Sequence, residues 1–556
     1  MNNNLKEPTD LYKKRRSFLK WLMILFLTWG SYFIYIWNNM LYWKKDGIYA
    51  GWRYVWGDWP GQFAFAMRFA YWSPFRWFES NPLYVEHKFT YHFFANMIPG
   101  ILIRLGFDEV KAFVIPSILT TLVLLISLYV FYFNELNSPA KSYFALTIFL
   151  ANGGLGFLWL ISDFIKSQKI ETIVNPVHQY TNFPKLHIHC NNFITTEFLP
   201  QRPFLLGVTV ALLLFIILMN WIKKDFKNIN SIKLFIMGLF IGFMPIIHSY
   251  TFIALIVFIF VCFITIRNHF TKWTTISLGV LFSGFLVNHF IFGDQIPRSM
   301  IKLYFGWLAT EQKVNFLYFW LINWGLFLPL LIVSIKRFQY YKNPLIVSGI
   351  MIFILCNVFS FSPFKWDSYK LLTWSYLFFC IPVVEYLGKL WDSNRRTLKV
   401  FVIIAVFSMI ASGLIDLHRI TNFKRFSLRM WTMGQVNLAK EFRKISSPYS
   451  RVLTAGSHDH WVACLSGRQI LMGYRHWLGT WGINTDEIAA DIRRMFVDGS
   501  SAEELFEKYK VDYVVIGQQE LSSYRKLNTK YFEENYQKVL EKESTKIFSI
   551  KKDKIQ

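Results

Sequence analysis

Acidic side chains are scarce in this chain: 35 Asp and Glu stand against 60 Lys and Arg in 556 residues, a formal net charge of +25. Cysteine is scarcer, at five, too few for a disulfide-stapled scaffold. Cys262, Cys356 and Cys380 fall inside apolar runs and read as small hydrophobes, whereas Cys190 and Cys464 lie in more polar segments and are open to pairing. A Walker-type loop and a long basic tail are both missing, which argues against nucleic acid as a partner. The basic residues sit instead in short clusters between apolar runs, the pattern of membrane topology and anionic headgroups. A cleavable leader is missing too. The first apolar run is long and lacks a small-residue cleavage site, so it reads as a retained transmembrane helix.

What is abundant is apolar. Hydrophobic residues make up 54% and aromatic ones 19%, with 57 Phe and 22 Trp, rings that favour membrane interfaces. A bilayer core takes about 20 apolar residues as helix. Candidate spans lie near 18–42, 111–133, 142–164, 203–222, 233–248, 250–266, 273–292, 314–335, 343–362, 370–388 and 398–416. With about eleven spans, every basic cluster falls on one side: Lys13 to Arg16, Lys223 to Lys233, Arg267 and Lys272, Lys336 to Lys342, and Lys389 to Lys399. The positive-inside rule makes that side cytoplasmic. The N-terminus is then inside, and loops 43–110, 165–202 and 293–313 lie outside with everything from about 418. Segment 92–106, short and interrupted by Pro99, reads as a helix on or dipping into the membrane; up to thirteen spans fit if it and one further segment cross.

Polar groups collect on the predicted outer side. The loop after the first span carries Asp58 between Gly57 and Trp59, then a stretch at 61–78 with Arg68 and Arg76 that suits an amphipathic helix in the interface plane, then Glu86, His87 and His92. The loop 165–202 adds His178, His187, His189, Asn191, Asn192, Glu197, Gln201 and Arg202. Later edges bring His248, Arg298 and Lys302, then Lys365, Asp367 and Lys370. Read locally, Asp58 is an ordinary turn acid, and Arg202 an interfacial anchor. Asp58, Glu86, His87, His187 and His189 are residue types that hold a divalent cation, although His187-Ile188-His189 alone makes a weak metal signal.

One early span, an outer loop with an acid near its start, many later spans and a C-terminal outer domain together resemble the GT-C glycosyltransferase superfamily, in an uncharacterised bacterial branch. GWRYVWGDWPGQFAFAMRFA, NPLYVEHKFTYHF, FLPQRPFLLG, GFMPIIHSYTF, SPFKWDSYKLLTW and RVLTAGSHDHWVACLSGRQILMGYRHWLGTWG carry the likeness. The resemblance implies a polytopic helical membrane protein, with residues 1–417 as the membrane domain and 418–556 as a small extracytoplasmic α/β domain. It implies a hexosyl- or pentosyltransferase of the bacterial inner membrane, taking sugar from a polyprenyl-phosphate donor to a glycan, lipid or protein of the envelope. Asp58 would be the general base, with Glu86, His87, Arg202, Lys365, Asp367 and Lys370 on the substrates. A divalent cation is left open. One departure is visible: some branches pair two acids in this loop, and here Asp58 stands alone.

Beyond 418, strands are predicted at 451–454, 467–472 and 511–517, a helix at 485–497, another from Ser501, and a hairpin in the tail. His458-Asp459-His460 is a turn or a ligand cluster, and Gly473 to Trp477 suits saccharide contact or a cap over the site. Two other functions fit the pattern: a transporter or flippase for a lipid-linked saccharide, and a non-catalytic envelope assembly protein with the same fold.

Overall fold

The computed structural model describes residues 8–89, 91–292 and 301–550; the candidate Arg298 lies outside them. Each of the eleven apolar segments contains helix, though not each is one unbroken helix. Among the described residues, six helices are long and apolar enough to cross a bilayer: Tyr12–Met40 (α1), Glu109–Leu136, Arg202–Lys223, Arg267–Phe292, Lys365–Trp391 and Arg396–Arg419. Many of their large apolar side chains stand exposed, among them Leu27, Leu119, Leu213, Leu281, Ile403 and Phe407. An outward apolar surface of this extent is stable only against lipid, and the chain is an integral membrane protein.

The other segments are shorter or broken. Phe316–Trp324 and Phe327–Phe338 meet at 95°, turning at Gly325, whose φ of +56° is open to glycine. The predicted span 142–164 is likewise interrupted: Pro139–Leu150 stops before Asn152, and Phe157–Ser167 follows as a separate helix. Ser231–Ile246, Ser249–Thr265 and Pro344–Val358 are short apolar helices, as is Phe94–Arg104, the segment expected only to dip into the membrane.

Helices Ser231–Gly242 and Phe270–Val287 touch backbone to backbone. A Cβ on Gly238 would stand 2.0 Å from the Ile276 carbonyl oxygen, and one on Gly279 2.3 Å from that of Phe235. Close approach through small residues replaces the hydrophobic effect as the packing force inside lipid. Gly238→Val should therefore cost about 1–3 kcal/mol, read as a lower thermal midpoint of the detergent-solubilised protein.

After α1 the chain makes a hairpin, β1 (Leu41–Lys44) and β2 (Gly47–Ala50), and then helix α2, Arg53–Tyr71. Strand β3, Leu428–Thr432, follows the last long helix and pairs antiparallel with β2, Gly47 opposite Thr432. Five strands of the C-terminal part, β4 (Arg451–Leu453), β5 (Gln469–Ile470), β6 (Tyr513–Ile516), β7 (Gln537–Lys542) and β8 (Thr545–Ser549), form one sheet in the order β5-β4-β6-β8-β7, and a short pair, Lys302–Leu303 with Phe359–Ser360, stands apart from it. β4 runs parallel to both β5 and β6, and β8 antiparallel to β6 and β7. Each predicted strand is present, as are helices Asp486–Val497 and Glu503–Tyr509.

The loop after α1 is stitched to this C-terminal sheet. Ile470 N–H donates to Pro82 O at 3.2 Å, Gly473 N–H to Leu83 O at 2.7 Å, and Val85 N–H to Leu471 O at 3.2 Å. The Trp72 indole donates to Gly467 O at 3.1 Å. Residues Trp59 to Ala70 of α2 are consequently all buried. The expected interfacial helix is instead a core helix between the bundle and the C-terminal domain, as suits a segment apolar on nearly every face. Arg68, buried with it, donates to Trp77 O at 3.2 Å and Ser80 O at 2.8 Å and lies 3.1 Å over the Trp72 ring. All five cysteines are buried free thiols, including Cys190 and Cys464.

Candidate active site

Asp58 sits in the second turn of α2, whose chain enters from an extended Trp52. The Trp52 indole donates to Thr195 O at 3.1 Å, and that of Trp59 to Leu199 O at 3.1 Å. These two bonds fasten α2 against the segment just before helix Arg202–Lys223, and so set Asp58 beside Glu197 and Gln201. The start of this segment is pinned from behind by Asn192, which donates its amide to Leu150 O at 2.8 Å and its N–H to the Thr181 hydroxyl at 2.9 Å. Asp416 in turn holds that neighbouring stretch of chain, accepting from Tyr180 N–H at 2.9 Å and Thr181 N–H at 2.8 Å.

In front of Asp58 opens a cavity of about 840 Å³. One wall carries Asp58, Gln62 and Tyr91 from the first loop; a second carries His189, Asn191, Glu197 and Gln201. The start of helix Tyr369–Trp391 brings Asp367 and Lys370. Helix Arg475–Thr480 covers the cavity with His476, Trp477 and Thr480, the predicted place for a cap. Trp477 lies so close to α2 that a Cβ on Gly61 would meet its ring at 2.9 Å. Ile253, Phe292, Ile301, Phe361 and Phe364 make the remaining side apolar, and Ile301 and Phe364 stand exposed.

Three carboxylates surround one ammonium. Lys370 Nζ lies 2.6 Å from Asp367 Oδ1, and Asp367 Oδ2 accepts from the Ser362 hydroxyl at 2.8 Å. Asp58 Oδ2 accepts from the Gln201 amide at 2.6 Å. Burial raises the Asp58 carboxyl to about 6, against the charge of Lys370 and the Gln201 bond, which pull it down. Glu197 is 1% exposed, and its Oε2 has no hydrogen-bond partner among the described residues. Burial pushes it to about 8, further than Lys370 draws it back, and the charges of Asp367 and Asp58 add to the rise. Burial also holds His92 near 3, neutral, with Lys370 acting the same way. At neutral pH the cavity therefore presents an ionised Asp58, a protonated Glu197 and a charged Lys370, paired with Asp367.

The sequence-predicted site residues divide. Asp58, Asp367 and Lys370 share the cavity; Glu86, His87, Arg202 and Lys365 do not line it. Glu86 is exposed and accepts from the Tyr84 hydroxyl at 3.1 Å. His87, its neighbour, is half-buried beside the Tyr84 ring, 5.5 Å between centroids. Arg202 is buried behind α2, donating to the Ser117 hydroxyl at 3.0 Å and packing 4.6 Å over the Phe113 ring. Lys365 turns away to Glu311 at 3.2 Å and the Tyr304 ring at 3.8 Å. Of the metal-ligand types, Asp58 and His189 reach the cavity. Among the described residues no three His, Cys, Asp or Glu side chains stand close enough to hold a metal ion together. His92 and Glu197 were legible only as polar loop residues; their place in the site comes from the fold.

In the C-terminal domain, His458 packs edge-on against Trp56 of α2 at 4.3 Å. His460 pairs with Glu520 at 2.9 Å, both 1% exposed, and Glu520 also accepts from Ala455 N–H at 2.8 Å and Gly517 N–H at 2.9 Å. The His-Asp-His run is thus divided between an interface and an internal brace.

No protein-family model matches the sequence, and no curated relative matches it. Among solved structures the chain is similar to the Archaeoglobus fulgidus oligosaccharyltransferase tethered to an acceptor peptide, with a TM-score of 0.48 and 10% identity over 90% of this chain and 69% of that one. It is similar to the same enzyme in complex with Zn and sulfate, with a TM-score of 0.46 and 12% identity over 89% and 67%. Apo ArnT from Cupriavidus metallidurans gives a TM-score of 0.49 and 11% identity over 95% of this chain and 97% of that one. These are likenesses of chain course, at 10–12% identity, and none assigns a residue.

Proposed function

We propose that the protein is a GT-C-type membrane glycosyltransferase that moves a sugar from a polyprenyl-phosphate donor to a hydroxyl-bearing acceptor of the cell envelope. One observation carries the reading: Asp58 and Lys370, 312 residues apart in the chain, share a cavity whose remaining side is apolar and exposed. The apolar side suits an isoprenoid tail and the ammonium suits the phosphate next to it. In the reaction the acceptor oxygen attacks the anomeric carbon while Asp58 takes its proton. The bond from that carbon to the phosphate oxygen breaks, and Lys370 meets the charge left on the departing polyprenyl phosphate. Attack opposite the leaving group inverts the anomeric centre.

The charge clusters orient the molecule with its N-terminus in the cytoplasm, and with the cavity and C-terminal domain outside, in the inner membrane of a bacterium. A carrier would want ionisable groups at mid-span. Here Asp58 sits in the second turn of α2, Glu197 in the short turn Ile194–Phe198, Asp367 in the turn Lys365–Ser368 and Lys370 in the first turn of the helix after it. None is at the middle of a long apolar helix, which favours the enzyme. Purified protein given a radiolabelled polyprenyl-phosphate sugar and an envelope extract should release label into product; absence of transfer across a panel of donors would count against the reading.

Glu197 supplies a sharper check. Protonated at pH 7, it adds no negative charge beside the donor phosphate. As pH rises through about 8 it ionises, and kcat/KM of the wild type should fall. Glu197→Gln mimics the protonated acid, so it should keep transfer within about threefold at pH 7 and lose the alkaline fall. Equal alkaline profiles for the two proteins would remove Glu197 from the site.

A further inference from the structure

A second cavity, of about 440 Å³, opens where the last long helix ends. His418, Arg419, Lys424 and Arg425 line it together with Tyr35 and Phe423, and none of its lining residues is a carboxylate. His418 and Arg419 close helix Arg396–Arg419, and the next turn, Phe423–Phe426, carries Lys424 and Arg425.

Backbone carbonyls aim these groups without neutralising them. His418 Nε2 lies 2.9 Å from Val174 O. Arg419 donates to Pro176 O at 3.1 Å and to Val177 O at 3.2 Å, and lies 4.2 Å over the Phe426 ring. Arg425 reaches Asn175 O at 3.5 Å. Lys424 has no hydrogen-bond or ion-pair partner among the described residues. Two carboxylates stand in the neighbourhood: Glu171 accepts from the Asn175 amide, and Asp416 accepts from Tyr180 and Thr181 while its charge also acts on Arg419. The result is a concave cluster of cationic groups in which Asp416 offsets part of the Arg419 charge, while Lys424 and Arg425 have no carboxylate partner among the described residues. Two guanidinium forks with an ammonium beside them match the spaced oxygens of a phosphate better than a single carboxylate.

Position decides the source of that phosphate. Tyr35 belongs to α1 and is 52% exposed, and its ring packs 5.7 Å from that of Phe423. The ends of two long apolar helices therefore border the cavity, at the depth where lipid headgroups lie. On the orientation proposed above this end is extracytoplasmic, where basic clusters are otherwise few. We propose that this cavity binds the phosphate of an anionic membrane lipid headgroup, with Lys424 and Arg425 as its outer contacts and Arg419 at its floor.

The full-length protein, extracted from mixed phosphatidylglycerol and phosphatidylcholine vesicles, can be examined by native mass spectrometry for the lipids it retains. Phosphatidylglycerol should be retained in preference. The double variant Lys424→Gln/Arg425→Gln should lower its retention about tenfold and leave phosphatidylcholine unchanged. Lys424→Gln alone breaks no bond of the fold and should lower it about fivefold, so the test stands even if the double variant misfolds. Equal phosphatidylglycerol retention by wild type and Lys424→Gln would overturn the proposal. In a parallel arm inorganic phosphate is titrated against thermal stability. A shift in the wild type that the variant loses, with lipid retention equal, would assign the site to a soluble phosphate and overturn the lipid.

Discussion

Asp58→Asn is expected to lower transfer by about 10²- to 10⁴-fold, the usual contribution of a positioned general base. The substitution keeps the size of the side chain and an oxygen to accept the Gln201 bond, so the fold and donor affinity should persist. The loss should appear in kcat rather than KM. The pH profile gives the same test in the wild type. Asp58 works as a base only when ionised, and burial places its pKa at about 6. Transfer should be at its plateau above that value, half-maximal near it, and about tenfold lower for each pH unit below. With the fall expected as Glu197 ionises near 8, the profile becomes a bell. Steady-state kcat and kcat/KM for transfer, measured across pH for both proteins, decide it, the bell appearing in kcat/KM: full activity in Asp58→Asn would remove Asp58 as the base and leave the enzyme class open.

Lys370→Met carries the other large effect, and it has two parts. The ammonium is the cation that meets the leaving phosphate, and losing such a group costs about 10²- to 10³-fold in rate. It is also the partner of Asp367 at 2.6 Å, with both side chains largely enclosed. Stranding that carboxylate should cost about 3–5 kcal/mol of stability. The double variant Lys370→Met/Asp367→Asn separates the two. Neutralising both partners should restore most of the thermal midpoint, because no charge is left unpaired, and should leave transfer as low as in the single variant. Recovery of transfer along with stability would make Lys370 a structural ion-pair member with no part in the chemistry.

The way the candidate cations divided shows what a linear reading sees. Arg202, Lys365 and Lys370 all stand at ends of apolar runs, and by that criterion they are equivalent. Their directions are set by local geometry. Lys365 lies in the 3-10 turn Lys365–Ser368 and Lys370 in the first turn of the helix that follows, so the two ammonium groups leave the chain on different sides. Arg202 opens its own helix, and Ser117 and Phe113 behind α2 claim it. Glu197 was one polar residue among many in loop 165–202. Its place in the site comes from α2, fastened to this segment through Trp52 and Trp59, and from Lys370 across the cavity, and neither is near it in sequence.

Hydrophobic length is a local property, so the apolar helices, the presence of a membrane, the strands beyond 450 and the prominence of Asp58 were all legible in the linear chain. Lipid offers no partner to backbone polar groups, so a run of about 20 apolar residues favours helix; the breaks within 142–164 and 314–335 came from the fold. Three things came from the folded chain alone: that α2 is buried rather than interfacial, that the loop after α1 and the C-terminal sheet form one stitched body, and that Lys370 rather than Arg202 or Lys365 shares the cavity with Asp58. Each depends on contacts between segments hundreds of residues apart, as in the pairing of Gly47 with Thr432. Such contacts follow from how whole surfaces fit, which no window of the sequence contains.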